Sequence, residues 1–175
     1  MEVDQPVIPV VFKTEEDFEA NFETQLFLNW VYFHEVTELH LVLKGIKAAN
    51  TRWFRDGLAE YMAYKVCKKL SPETAKNMLQ KRRESYQEVK GNANLLNWTG
   101  TGISENPEQD EFKGGTPQYG AGLLFFIDLV NDHGEDIIIQ LFQALKNERD
   151  LSSKNILLAL DKLTKEDTYQ RVKRY

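Results

Sequence analysis

His34 and Glu38 stand four residues apart in the stretch "FHEVTELH", residues 33–40, with Glu35 between them. On an α-helix that spacing is an angular offset of only about 40°, so an imidazole and a carboxylate can grip one ion from the same face. Glu35 lies about 100° from His34 around the helix, where an acid can reach a metal-bound water without being a ligand. Two ligands and a base so placed suit metal-assisted hydrolysis: the ion polarises a carbonyl and binds a water, and the acid takes that water's proton. The polar group also falls in an apolar setting. From Leu26 to Leu43, twelve of eighteen residues are apolar and point in every direction around the helix. A helix apolar all round is expected to be buried, and isolated charges inside it are costly unless paired or bound to metal.

A second stretch, "WFRDGLAEY" at residues 53–61, follows on the next helical run. Together, "HEVTE … WFRDGLAEY" resembles the gluzincin metallopeptidases, the thermolysin-like group also called peptidase MA-like. Their pattern is H-E-x-x-H and then, after a spacer, W-x-x-E-G-[FL]-A-x-Y, whose glutamate is the third zinc ligand. The resemblance extends to "QYGAGLLFFIDLVNDHGED" and to the closing "TKEDTYQRV", and so covers residues 30 to 175, most of the chain.

The resemblance implies His34, Glu38 and Asp56 as metal ligands and Glu35 as general base. It also implies Tyr119 as a hydroxyl offered to a tetrahedral oxyanion. Glu60, one turn after Asp56, lines the cleft, orients His34 by an outer hydrogen bond, or is solvated. Two ligand positions depart from the family: Glu38 stands for a histidine and Asp56, one methylene shorter, for a glutamate. One imidazole and two carboxylates make a poorer Lewis acid than a good zinc site, and suit manganese or iron better than zinc. The expected cofactor is therefore zinc, manganese or iron, or no metal at all. The edge strand that binds substrate backbone in gluzincins has only "PVIPVVF" to represent it here.

These residues need elements to carry them. The expected class is mainly α (α+β with minimal strand content), about seven helices resembling the helical part of a thermolysin-like zincin fold. One domain, 1–175, divides into a short strand or arm and helix (1–25), the signature helices (26–89), a long loop (90–118) and the C-terminal helices (119–175). In the first part, Thr14 caps a helix. The first signature helix stops near Gly45 and the second starts close to Asp56. Ser71-Pro72-Glu73 opens the next, with a capping residue, proline in the first turn and an acid at the positive dipole end. Gly134 ends the helix that carries Tyr119, and Thr164 caps the last one.

Composition narrows the functions. With 42% hydrophobic and 28% charged residues this is the profile of a globular domain, and a formal net charge of −5 argues against nucleic acid or anionic membrane as partner. The basic clusters Lys68-Lys69, Lys81-Arg82-Arg83 and Arg171 to Arg174 read as solvated helix faces. The single cysteine, Cys67, reads as a small buried hydrophobe. Neither a signal peptide nor a membrane span is found, which implies a cytoplasmic protein if the chain is full length. His40, six residues from His34, cannot share its ion on a regular helix, and His133 suits a helix C-terminus. Trp30, Trp53 and Phe54 read as core.

Three functions stay open. One is a peptidase-like domain with an impaired or inactive site that receives a peptide or protein ligand in its cleft. Another is an active metal-dependent peptide hydrolase, and the third a helical interaction module unrelated to peptidases.

Overall fold

The computed structural model describes residues 22–46, 48–89, 93–98 and 115–175. Seven α-helices and one 3-10 turn make up these residues: α1 (Phe22–Leu43), α2 (Ala48–Leu70), α3 (Pro72–Glu88), the turn Leu95–Asn97, α4 (Gly115–His133), α5 (Asp136–Leu145), α6 (Ser153–Thr164) and α7 (Thr168–Lys173). The class is mainly α, and no strand occurs among the described residues. The expected "PVIPVVF" strand and the Thr14-capped helix lie outside them, as does most of the expected 90–118 loop.

Helix α2 is the centre of the molecule. It packs on α1, on α3 and on α4, and α4 packs in turn on α3. Every residue from Thr51 to Tyr61 is buried. Helix α2 starts earlier than Asp56, although the backbone is non-helical at Thr51 (φ −133°, ψ 18°). Asp56 is no helix start; it sits two turns in, among arginines that compensate its carboxylate.

Its crossing with α4 is unusually close. A Cβ placed on Gly122 would lie 2.7 Å from the Gly57 Cα, and one on Gly57 would lie 3.1 Å from the Gly122 Cα. Only two facing glycines let the backbones approach that far. Around the contact Trp53, Phe54, Phe125 and Phe126 meet edge to face, with centroids 5.1–5.8 Å apart.

The other boundaries follow local chemistry. Gly45 (φ +91°) and Gly134 (φ +84°) end α1 and α4 in the left-handed region that glycine enters without a Cβ clash. Helix α3 starts at Pro72 as expected, but the Ser71 hydroxyl meets that of Thr74 at 2.7 Å instead of capping a backbone amide. The last helix is capped by Asp167, whose side chain accepts from the Gln170 N–H, and not by Thr164, which ends α6. Helix α4 begins at Gly115, four residues before the expected start of the C-terminal helices.

Helix α1 departs most from expectation. Trp30, His34 and Leu41 are buried, but Phe27 (48%), Tyr32 (60%) and Leu43 (68%) face outward. Among the described residues α1 packs on α2 and α3, and two helices do not cover a whole helix perimeter. No described helix is long and apolar enough to cross a membrane. Cys67 is wholly buried, and burial raises its thiol pKa.

Candidate functional site

Helix α1 contributes His34, Glu35 and Glu38, and α2 contributes Arg52, Arg55, Asp56 and Glu60. On α2, positions 52, 56 and 60 recur every four residues and so form one row along the helix. Helix α3 adds Arg82 and α4 adds Tyr119. The result is a buried cluster in which His34, Arg52, Arg55 and Arg82 face Glu35, Glu38, Asp56 and Glu60.

Glu60 is its most heavily held member, with only 1% of its surface exposed. Arg82 donates to both carboxylate oxygens, from Nε at 2.7 Å and from Nη2 at 2.8 Å. The Trp30 indole donates to Oε2 at 3.2 Å, and His34 Nδ1 lies 3.1 Å from Oε1. Burial alone would raise the Glu60 pKa, but the charges and hydrogen bonds of Arg82 and His34 overcome it and hold the carboxyl at about 2. Among the readings open for Glu60, the position fits a residue that orients His34.

His34 bridges two carboxylates, with Nε2 3.5 Å from Glu38 and Nδ1 facing Glu60. Burial would lower its pKa. The close carboxylates of Glu38 and Glu60, reinforced by the charge of Asp56, win and raise it to about 10. The surrounding carboxylates thus favour the cationic imidazole.

The two remaining expected ligands are tied by arginine. Arg55 Nη2 lies 2.6 Å from Glu38 Oε1 and 3.1 Å from Asp56 Oδ2, and Arg55 Nε also donates to that Asp56 oxygen at 3.2 Å. Arg52 Nε stands 3.6 Å from the same oxygen. Burial and the neighbouring Glu38 push the Asp56 carboxyl up despite both arginines. Glu38 moves the other way: burial is outweighed by His34 and Arg55.

Tyr119 completes the wall. Its ring meets His34 and Trp98 edge to face, its hydroxyl accepts from Arg52 Nη2 at 3.3 Å, and burial raises its pKa to about 12. Arg82 lies over its ring at 5.1 Å, and Arg52 over Trp98 at 4.9 Å. A small cavity of about 170 Å³ opens beside the cluster, lined in part by Trp30, His34, Glu35, Glu60, Arg82 and Tyr119. The Glu35 carboxyl, half-buried there, has its pKa raised, mainly by desolvation.

Do these residues fit a metal ion? His34, Glu35 and Glu38 each offer an atom within 4.8 Å of the others, but Asp56 is not part of that group. His34 faces carboxylates on both nitrogens, and each expected carboxylate ligand already has a guanidinium against it. An arginine does not lose its proton in a protein, so that competing charge is permanent. The three-ligand set of His34, Glu38 and Asp56 does not fit a metal in this arrangement.

The sequence reading passed over Arg52, Arg55 and Arg82. Arg52 and Asp56 carried a legible signal in their four-residue spacing. Arg82, read as part of a solvated face, turns inward to Glu60; of its cluster Lys81 and Arg83 are exposed. Arg171 was also read as solvated, yet it is buried and paired with Asp132 at 2.6 Å and Glu166 at 2.9 Å. His40 is exposed and donates from Nδ1 to the Val36 carbonyl at 2.7 Å, away from His34. His133 lies in the last turn of α4, 3.3 Å from Glu166. No family model, curated protein or solved structure matches this chain.

Proposed function

We infer that the chain is a gluzincin-like domain in which guanidinium groups stand where a metal ion would, and that it binds a peptide or protein segment without hydrolysing it. One observation carries this reading: Arg55 bridges Glu38 and Asp56, the two carboxylates that the resemblance assigns to the metal. A divalent ion at that point would have to displace a fixed cation and meet a protonated His34. Balanced internally, the cluster works as a structural strut behind the small cavity. One side chain of a bound segment, seated there, would meet the Trp30 and Tyr119 rings and the carboxyl of Glu35.

The test is the metal content of tag-free protein by mass spectrometry, before and after dialysis against a chelator. The expected result is no retained ion, and none taken up from zinc, manganese or iron. With Glu38→His, Asp56→Glu and Arg55→Ala combined, zinc uptake should appear. A stoichiometric ion in the wild-type protein, lost on His34→Ala, would overturn the reading. It would favour a metal-dependent hydrolase with Glu35 as base, the alternative that the His34, Glu35 and Glu38 grouping supports.

A further inference from the structure

A second cavity, of about 540 Å³, lies at the other end of α1, between its C-terminus and the α5–α6 region. Its size falls within the range of small-molecule sites, whereas the cavity beside the charge cluster is far smaller. Leu41, Ile46, Phe142, Leu145 and Leu151 form apolar walls. Leu41, Ile46 and Leu145 are buried and form its floor, while Phe142 and Leu151 are half-buried at its sides. A slim apolar chain could reach them.

The rim is basic. His40, Lys44 and Lys146 surround the cavity, against the single acid Glu148. Both lysines are exposed, and among the described residues no acidic side chain pairs with either. The His40 ring is fixed through Nδ1 to the Val36 carbonyl, which leaves Nε2 for another partner. Val42 and Leu43, next to Leu41 and Lys44 in the chain, are exposed apolar residues.

We propose that this cavity binds a single-chain amphipathic carboxylate, a fatty-acid-like molecule, with its tail against Leu41, Ile46, Phe142 and Leu145 and its head at Lys44 and Lys146. Apolar walls favour the tail, and two ammonium groups against one carboxylate select an anionic head over a cationic one. A pit of this volume suits one small amphiphile better than a protein interface, which needs about 800 Å² on each partner. The inference does not depend on the role of the charge cluster.

Isothermal titration calorimetry with dodecanoate below its micelle concentration, on the full chain, tests it. Saturable binding to a single site is expected, at least tenfold tighter than that of dodecyltrimethylammonium, which has the same tail and the opposite head charge. The Lys44→Glu/Lys146→Glu double variant changes only exposed residues, and circular dichroism should show an unchanged fold. It should weaken dodecanoate at least tenfold and remove the preference for the anion. Equal affinity for the two amphiphiles, no saturable dodecanoate binding, or binding indifferent to the double variant would each overturn the proposal. So would an acidic amphipathic peptide that binds this groove and is not displaced by dodecanoate.

Discussion

Helix α2 is buried on two neighbouring faces that are held by different physics. One carries the row Arg52, Asp56 and Glu60, where charge is met by charge from α1 and α3. The other carries Trp53 and Gly57 against α4, where two backbones touch and aromatic rings fill the surround. The apolar face gains from every contact and loses in proportion to what is removed. The charged face behaves differently: as a complete set it offsets its own desolvation, but loss of one member leaves the others buried and uncompensated. The contrast explains how one helix can hold Arg52, Arg55, Asp56 and Glu60 at the centre of a small domain.

The largest effect should come from breaking the charged face at its most connected point. Glu60→Ala strands Arg82, His34 and the Trp30 indole together, and should cost about 3–5 kcal/mol in urea unfolding. A cost below about 1 kcal/mol would mean that water already reaches the cluster, as it does at surface pairs. Next comes the glycine face. Gly122→Ala drives a methyl onto the Gly57 backbone and should cost about 1–3 kcal/mol by overpacking.

Acidity separates the faces more sharply than either mutation alone. Glu60 has a folded pKa below its ordinary 4.5, so its stabilisation is complete above 4.5 and is lost as pH falls through about 2. His34 has a folded pKa above its ordinary 6.5, so its stabilisation is complete below 6.5 and is lost as pH rises through about 10. Glu35 and Asp56, both raised, add a loss as pH climbs above ordinary carboxylate values. Unfolding free energy measured between pH 6.5 and 10 should therefore decline in the wild-type protein and decline less in His34→Gln. The penalty of Gly122→Ala should not vary over that range. A Gly122→Ala penalty that moved with pH would show that the two faces are coupled through α2.

The smallest effect is expected where α2 emerges from the bundle. Leu70, 72% exposed at its last turn, should tolerate Leu70→Ser within about 0.5 kcal/mol.

How much of this was legible beforehand depends on whether a pattern is local. Gly45, Gly134 and Pro72 placed their helix boundaries well, because each acts within a turn of itself, whereas periodicity put the start of α2 two turns late. The pairing of His34 with Glu38 was legible from spacing alone. Glu60 was picked out by its distance from Asp56, though not the guanidinium that holds it, since Arg82 arrives from another helix and no sequence spacing encodes that meeting. Arg55 was overlooked for another reason: resemblance to a metal site directs attention to ligands, and arginine is never one. The exposure of Phe27 and Tyr32 was illegible because an apolar residue does not reveal which neighbours are missing.

The three tryptophans turn this arrangement into a set of optical reporters. The Trp30 indole is hydrogen-bonded to Glu60, Trp98 lies under the Arg52 guanidinium, and Trp53 donates to Ser153 Oγ at 2.8 Å on the neighbouring face of α2. An indole's emission colour follows the fields and donors around it. Two of the chromophores thus watch the charged cluster, while the third watches the packed face. Single-tryptophan versions of the protein would let emission show, without any label, which side of α2 loosens first.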